Sequence, residues 1–293
     1  MLNDQQVGAY HRDGFILVED AVRPDVLARM RKVIDDYIER ARFVTKGDDV
    51  YDLEDGHTPE QPRVRRLHDA VNRDPVFWEL IKDPGIIAPI KQLIGPDIRL
   101  YGSKINMKLG GFGSPVEWHQ DWAFYPHTND DLLAVGVMID DVTPENGPLL
   151  VVPGSHRGPI YDHHSDGYFV GAVEEVEKLV DLSAAVPLMG RAGSMTIHHV
   201  RALHGSAPNR SDQARRMLFY EIAAADAWPI WTDSTQKKYR DFAHFNQQMI
   251  VGQTTVAPRM DAVPVRIPGP YKKANPSGIY EMQKDSKKRY FGR

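Results

Sequence analysis

Residues 98–109, IRLYGSKINMKL, begin a series of short segments that decide the fold of this chain. Each segment is rich in apolar side chains and is bounded by Gly, Pro, Asn or Asp, which is typical of strands joined by turns. The later segments are LLAVGVMIDDV at 132–142, PLLVVPG at 148–154, AGSMTIHHV at 192–200 and RRMLFYEIAAA at 215–225. Together they predict an antiparallel jelly-roll core over residues 98–225.

The pattern changes on the N-terminal side of this core, where residues 1–97 are predicted to be mostly helical. After Pro24, apolar residues recur at the spacing of a helix. They are Val26, Met30, Val33, Tyr37 and Ala41. Residues 15–22 before them predict a strand, and residues 76–94 predict two short helices separated at 83–85.

Three stretches lack a clear period. Residues 46–62 are polar and rich in breakers, which predicts a mobile loop. Residues 157–190 predict either a lid over the site or a solvated excursion. The C-terminal part, residues 226–293, predicts a helix over 235–249 followed by a proline-rich extension, and its basic end KDSKKRYFGR at 284–293 predicts a solvated tail.

Composition narrows the class of protein. The chain has 293 residues, of which 42% are hydrophobic and 26% charged, as expected for a folded protein with a substantial core. Mainly β domains reach this length when helices are added, so we expect a single catalytic domain over residues 1–293. The net charge of −4 indicates no surface for nucleic acid or for an anionic membrane.

The absence of cysteine excludes disulfides, iron–sulfur clusters and cysteine nucleophiles, so any metal must be held by nitrogen and oxygen. The N-terminus lacks the basic start and apolar run of a signal peptide. The longest apolar run, residues 132–139, is far shorter than the ~20 residues that span a bilayer. We therefore expect a cytoplasmic protein.

The segment Trp118-His119-Gln120-Asp121 carries the first chemistry. On a strand, residues two apart face the same side, so His119 and Asp121 present an imidazole and a carboxylate to one point. These are two of the three ligands of the facial triad that leaves open positions on iron(II). His204, at the end of a later strand-like segment, is the predicted third ligand.

Arg215 lies eleven residues after His204 and offers a guanidinium that can hold a carboxylate through two hydrogen bonds. Arg215 and Arg216 point to opposite faces of a strand, so only one of them can enter the pocket. Arg215 is favoured because Met217 and Phe219 share its face. A metal triad with a carboxylate clamp predicts a site for iron and a keto-diacid.

Other histidines compete with these ligands. An H-x-D tripeptide is weak evidence by itself, and a second copy stands at His164-Ser165-Asp166. Its surroundings are polar and show no strand pattern, so it is predicted to be a loop. His198 and His199 precede the distal ligand, but neither is followed by the Gly-Ser and Arg pattern, so both are interpreted as packing residues.

Three segments in this order resemble the signatures of the phytanoyl-CoA dioxygenase family. They are GSPVEWHQDWAFYP at 113–126, NGPLLVVPGSH at 146–156 and LHGSAPNRSDQARR at 203–216. The opening segment VGAYHRDGFILVEDAV at 7–22, followed by a helix, is also similar. The resemblance covers about residues 5–225.

The resemblance implies a cupin-like double-stranded β-helix core with N-terminal helices and a C-terminal extension. It assigns iron(II) to His119, Asp121 and His204. It assigns 2-oxoglutarate to Arg215 and Ser206, and it suggests Asn106 and Arg66 as further contacts.

The activity that the resemblance implies is an iron(II)- and 2-oxoglutarate-dependent dioxygenase that hydroxylates a small or medium-sized metabolite. O2 and 2-oxoglutarate are then converted to succinate and carbon dioxide. The carboxylate of Asp121 favours oxygen transfer over halide transfer. Desaturation, epoxidation or cyclisation would use the same triad. A metal-dependent hydrolase or isomerase, or a non-catalytic binding module, are the alternatives from other classes.

Overall fold

A computed structural model of the chain describes residues 1–231, 242–273 and 278–292. The helices are α1 (Asp4–Asp13), α2 (Pro24–Arg40), α3 (Pro75–Ile81), α4 (Pro84–Ile94), α5 (Phe242–Gln247) and α6 (Ile279–Gln283). The first strands are β1 (Phe15–Val18), β2 (Tyr51–Leu53), β3 (Val64–His68), β4 (Ile98–Lys108), β5 (Val116–His119), β6 (Leu132–Met138) and β7 (Leu149–Val151). The later strands are β8 (His164–Ser165), β9 (Tyr168–Phe169), β10 (Val186–Leu188), β11 (Met195–His199), β12 (His204–Ser206), β13 (Arg215–Ala224) and β14 (Met249–Val251).

The strands form two main antiparallel sheets. The larger sheet has the order β1-β11-β6-β13-β4-β3-β2, with β14 paired to β4, and the smaller sheet has the order β10-β7-β12-β5. Residues from both sheets line one cavity, so the sheets lie on its two sides. The predicted jelly-roll fold with flanking helices is confirmed, and its central strands fall within the predicted range 98–225.

Strand β13 shows how the sequence separates the core from the cavity. Leu218 and Ile222 belong to the main hydrophobic core, whereas Phe219 and Glu221 line the cavity. Successive residues of a strand point to opposite faces. One face of the larger sheet therefore packs against the helices, and the other face is left for polar side chains.

The helices cover the apolar face of the larger sheet. Helix α2 begins at Pro24 with Asp25 in its first turn, where a missing amide hydrogen costs nothing and a carboxylate favours the helix dipole. Its residues Met30 and Ile34 are fully buried in the main core. Helix α3 is tied to β13 because the hydroxyl of Tyr220 donates to a backbone carbonyl of that helix at 2.6 Å.

The loop prediction for residues 46–62 is wrong over β2. This strand pairs with β3 and extends the larger sheet, and Tyr51 and Asp52 within it are buried. Asp52 accepts a hydrogen bond from Arg65 of β3 at 2.6 Å. Buried charged residues that neutralise each other hide the apolar alternation of a strand, and three residues are too few to show a period.

The C-terminal part also departs from the prediction. Of the helix expected over 235–249, residues 235–241 lie outside the described residues, α5 covers Phe242–Gln247, and residue 249 begins β14. The prediction of a solvated tail is wrong at its end, because Phe291 stacks on Trp118 with ring centroids 5.7 Å apart. Within the described ranges, no helix is long and apolar enough to cross a membrane.

The packing of α2 gives a test of the core. We expect Ile34→Ala to lower the free energy of unfolding by about 2–5 kcal/mol, because the cavity that remains under the helix cannot fully close. Urea denaturation followed by circular dichroism measures the change. Lys32→Ala, on the exposed face of the same helix, should change it by less than about 0.5 kcal/mol. Similar losses for both variants would contradict this account of the core.

Candidate active site

The pairing of β5 with β12 brings two histidines together. His119 and His204 are directly opposite in the register, and their ring centroids are 4.1 Å apart. Asp121 does not lie on the strand as predicted, since β5 ends at His119 and Asp121 begins a 3₁₀ turn. Gln120 between them remains extended (φ −119°, ψ 128°), so both side chains still face the same side.

The three side chains form a compact donor set. One ligand atom from each of His119, Asp121 and His204 lies within 4.8 Å of the others. The Nδ1 atoms of the two rings are 2.8 Å and 2.9 Å from the backbone carbonyls of Glu117 and Ala202. A carbonyl only accepts, so each Nδ1 carries the hydrogen and each Nε2 is left with a free lone pair for a metal.

The protonation states suit metal binding. Burial lowers the pKa of His119 to about 4 and the pKa of His204 well below its usual value, so both rings are neutral at pH 7. Burial alone would raise the pKa of Asp121, but the contact with His198 and the positive charge of Lys104 hold it well below its usual value. Two neutral imidazoles and one carboxylate are the donor set that fits iron(II) with open positions.

The predicted co-substrate residues line the same cavity. Its volume is about 320 Å³, and Arg215, Ser206, Asn106 and Arg66 are all in its wall. Within the described part of the chain, Nε of Arg215 and one terminal nitrogen of Arg66 are buried without a hydrogen-bond partner. Such orphaned donors cost free energy unless a ligand satisfies them, and a carboxylate is the ligand they fit.

The two adjacent arginines point in opposite directions. Arg215 is 3% exposed and enters the cavity, and burial lowers its pKa to about 10, which leaves it charged at neutral pH. Arg216 lies on the other face of β13 and forms ion pairs with Asp140 and Asp35. Of these two arginines, Arg215 is therefore the one that is available to a ligand in the cavity.

Two contacts orient the co-substrate residues. Nε of Arg66 donates to the side-chain oxygen of Asn106 at 2.8 Å, which follows from their pairing across β3 and β4. The hydroxyl oxygen of Ser206 accepts a hydrogen bond from Nζ of Lys108 at 2.8 Å. Because this oxygen is already an acceptor, the hydroxyl hydrogen of Ser206 is free to be donated to a ligand.

Lys108 was missed by the sequence analysis. It is 1% exposed, it lies opposite Arg215 in the register of β4 and β13, and burial, followed by the charge of Arg215, lowers its pKa well below the usual value. A lysine within a strand resembles a surface residue in sequence. Its hydrogen bond to Ser206 joins the larger sheet to the smaller one, and the sequence gives no sign of this contact.

Gln120, between the two proximal ligands, fixes the turn that carries Asp121. It is fully buried, and its side chain donates to the carbonyls of Pro159 and Arg201 and accepts from the backbone of Tyr161. Its backbone N–H donates to Nε2 of His163 at 2.9 Å. Residues 159–163 are thus packed against the metal-binding turn.

His198 lies in the cavity wall, which the interpretation as a packing residue missed. Its Nε2 is 3.7 Å from Asp121, its ring centroid is 4.5 Å from that of His204, and neither of its nitrogens has a partner among the described residues. His199 points to the opposite face, where its ring lies 5.3 Å from that of His156 at an interplanar angle of 52°. His198 and His199 are adjacent on a strand and so point to opposite faces, but the sequence alone does not show which of them faces the cavity.

The second H-x-D segment, His164-Ser165-Asp166, lies outside the metal site. The loop prediction is wrong there, because His164 and Ser165 form β8, which pairs with β9 across a turn at Asp166. Nδ1 of His164 is 2.8 Å from Asp162, and its Nε2 is 3.2 Å from a backbone carbonyl. Both nitrogens are engaged, and the metal cluster found among the described residues does not include this ring.

The C-terminal segment completes the cavity, which the sequence analysis did not predict. Tyr271, Ile279, Tyr280 and Met282 all line it. The ring of Tyr280 packs against the guanidinium of Arg66, with 5.1 Å between Cζ and the ring centroid. A proline-rich segment has no period that would indicate such a role.

The buried histidines predict how the metal-free protein responds to pH. Burial lowers the pKa of His127 to about 4, below the value of about 6.5 in an unfolded chain. Its neutral ring stabilises the fold above that unfolded pKa, and the stability is lost as the pH falls toward the folded pKa. We expect this residue to reduce the free energy of unfolding by up to about 1.4 kcal/mol per pH unit in that window.

Urea titrations at several pH values measure this slope. His127→Gln should flatten it, whereas His11→Gln on the exposed face of α1 should leave it unchanged. An unchanged slope in His127→Gln would show that the ring is not buried in its neutral form.

Comparison with known proteins agrees with this geometry. A family model for phytanoyl-CoA dioxygenase matches residues 10–217. A relative from Stutzerimonas stutzeri, named "Probable alpha-ketoglutarate-dependent hypophosphite dioxygenase", is 33% identical over 291 residues, which cover 98% of this chain and 99% of the relative. The L-proline trans-4-hydroxylase of Streptomyces griseoviridis is 30% identical over 244 residues, which cover 75% of this chain and 87% of the relative.

A solved structure is also similar. The crystal structure of EctD from S. alaskensis with bound Fe has 26% sequence identity and a TM-score of 0.63, and the match covers 76% of this chain and 77% of that chain. The resemblance and the implied use of iron(II), 2-oxoglutarate and O2 are confirmed. The chain belongs to the phytanoyl-CoA dioxygenase family of iron(II)- and 2-oxoglutarate-dependent dioxygenases.

Proposed function

We propose that this enzyme hydroxylates an unactivated C–H bond of a small or medium-sized metabolite, with His119, Asp121 and His204 as its iron ligands. The observation that carries the proposal is that these three donor groups open into the same cavity as two guanidinium groups with unsatisfied nitrogens. The relatives support a small substrate, since they are named for hypophosphite and for L-proline.

Each group of residues in the cavity has its own role in the proposed reaction. Bound iron(II) supplies the centre at which O2 and 2-oxoglutarate are converted so that a C–H bond can be oxidised. The His119, Asp121 and His204 side chains would hold the metal from one side and leave its other positions open. Arg215 and Ser206 receive the distal carboxylate of 2-oxoglutarate, and this fixes the direction in which the keto-acid end points.

Further groups shape the cavity around these ligands. Arg66, held by Asn106, adds positive charge beside the co-substrate. The rings of Phe124 and Phe219 line the cavity and keep water from the reacting groups. The carboxylate of Asp121 would take the metal position that a halide needs, which supports oxygen transfer.

Desaturation, epoxidation and cyclisation would use the same residues. Mass spectrometry of the product divides these reactions into two groups, because hydroxylation and epoxidation each add one oxygen atom whereas desaturation and ring closure each remove two hydrogens. Nuclear magnetic resonance of the product then distinguishes the two reactions within each group.

We also propose that residues 1–293 act as one catalytic domain in the cytoplasm, on a small molecule and without a nucleic-acid partner. The shared cavity supports the single domain, since residues of the jelly roll and of the C-terminal segment 278–282 both line it. The lack of cysteine and the net charge of −4 support the compartment and the class of partner.

Optical spectroscopy tests the metal site. Anaerobic addition of iron(II) and 2-oxoglutarate should produce a weak visible charge-transfer band, because the keto acid chelates the metal while Arg215 holds its distal end. His119→Ala should lose the band together with iron binding, which is measured by metal analysis. A flat spectrum for the wild-type protein at saturating concentrations would overturn the oxygenase proposal.

The two adjacent arginines give a matched test of the clamp. Arg215→Ala should raise KM for 2-oxoglutarate at least about tenfold, because a charged hydrogen bond worth about 1.5–3 kcal/mol is lost. Arg216→Ala removes the same charge from the other face of the strand and should leave KM within about twofold. Steady-state succinate release measures both values. The opposite order of effects would reassign the clamp to Arg216.

A further inference from the structure

One end of the cavity has no role in binding the co-substrate. Along β13, the cavity-facing residues run from Arg215 to Glu221, a separation of about 20 Å at ~3.3 Å per residue. A five-carbon diacid held by Arg215 is much shorter than this. The end at Glu221 therefore remains for a second ligand.

This end of the cavity lies beside the metal ligands, and the small side chain of Ala134 forms its floor. In the register of the larger sheet, Ala134 of β6 pairs with Glu221 on one side and with His198 on the other. Neighbouring strands are about 4.8 Å apart, so the backbones of Glu221 and His198 are separated by about 10 Å with only a methyl group between them. His198 in turn is 3.7 Å from Asp121, so a ligand resting on Ala134 would lie next to the metal site.

A charged pair stands at the edge of this floor. Nζ of Lys104 donates to the carboxylate of Glu221 at 2.7 Å, and both side chains are partly exposed to the cavity. In the described part of the chain, each of these two groups has only the other as a hydrogen-bond partner. Two ammonium hydrogens of Lys104 are therefore left for a ligand, while Glu221 can accept a further bond.

His198 provides the second independent observation. Its side chain is 1% exposed, and neither ring nitrogen has a hydrogen-bond partner among the residues that the structure describes, since Nε2 is 3.7 Å from the nearest carboxylate oxygen of Asp121. A buried polar group without a partner is costly, and the cost is removed when a ligand supplies the missing hydrogen bond. The imidazole thus marks the place of a polar group in the ligand.

We propose that this end is the substrate site and that the substrate is a small zwitterion, with an oxyanion bound by Lys104 and His198 and a cationic nitrogen bound by Glu221. The proposal rests on the proposed function. An anion alone would meet the carboxylate of Glu221 without compensation, and a cation alone would meet the ammonium of Lys104. A ligand with both charges would replace the ion pair between Lys104 and Glu221 by two ion pairs, one with each of these residues.

The aromatic side chains that surround Ala134 agree with a zwitterionic substrate. Tyr101, Tyr125 and Phe219 line the cavity beside the charged pair. Aromatic faces attract a cationic nitrogen and pack against the carbon skeleton that joins the two charges. The C–H bonds of that skeleton would then face the metal ligands.

Substrate-stimulated succinate release tests the proposal with matched compounds. L-proline and 2-aminoethylphosphonate carry both charges. Their counterparts with one charge are cyclopentanecarboxylate, pyrrolidine, ethylphosphonate and ethylamine, and hypophosphite serves as a small oxyanion. At saturating iron(II) and 2-oxoglutarate, a zwitterion should raise the rate at least about tenfold over the rate without substrate, and its singly charged counterparts should not.

Two variants assign the charges to residues. Glu221→Gln and Lys104→Gln should each raise KM for the active zwitterion at least about tenfold, whereas KM for 2-oxoglutarate should change by a much smaller factor. Lys32→Gln on the exposed face of α2 is the control and should change none of these values. The release without substrate also shows that each variant is folded and holds its iron.

The outcomes separate this proposal from the proposed function. If the wild-type protein releases no succinate even without substrate, the proposed function fails. If it does release succinate, the zwitterion proposal alone is overturned by hypophosphite or another singly charged compound as the best substrate, by a panel without any stimulation, or by Glu221→Gln and Lys104→Gln with unchanged KM for the zwitterion.

Discussion

Every strand of the larger sheet has to satisfy two environments at once, because successive side chains point to opposite faces. On β13, the apolar set that includes Leu218 meets the helices, and the alternate set that includes Arg215 and Glu221 meets the cavity. A shift of the register by one residue would place charged groups in the core and apolar groups around the metal. The hydrophobic packing of the helices therefore also fixes the position of the catalytic groups.

The metal site relies on backbone carbonyls and buried amides for its rigidity. The carbonyls of Glu117 and Ala202 fix the orientation of the two histidine rings, and Gln120 fixes the turn that carries Asp121. These partners hold the donor groups close together. Little reorganisation is then needed when the ligands meet a metal, which is the condition for an efficient site.

Those parts of the site that depend on residue spacing or on the alternation of side chains along a strand can be predicted from the sequence. The spacing of His119 and Asp121 and the opposite directions of Arg215 and Arg216 follow from strand geometry alone. The contact of Lys108 with Ser206 and the pair of Lys104 with Glu221 join residues 98 and 117 positions apart. The first depends on how the two sheets face each other and the second on the pairing of β4 with β13, so neither is visible in the sequence. The same holds for β2, whose buried charges concealed its period, and for the C-terminal segment, whose contacts are all tertiary.

Glu117 connects the metal site to the far end of the chain. Its carbonyl orients His119, while its carboxylate accepts hydrogen bonds from the backbone of Tyr290, Phe291 and Gly292, which are 173 to 175 residues away. Contacts between such distant residues raise the contact order, and they form late because a long loop must close first. We therefore expect the cavity wall at α6 to form after the jelly roll, whose polar interior would be open to water until then.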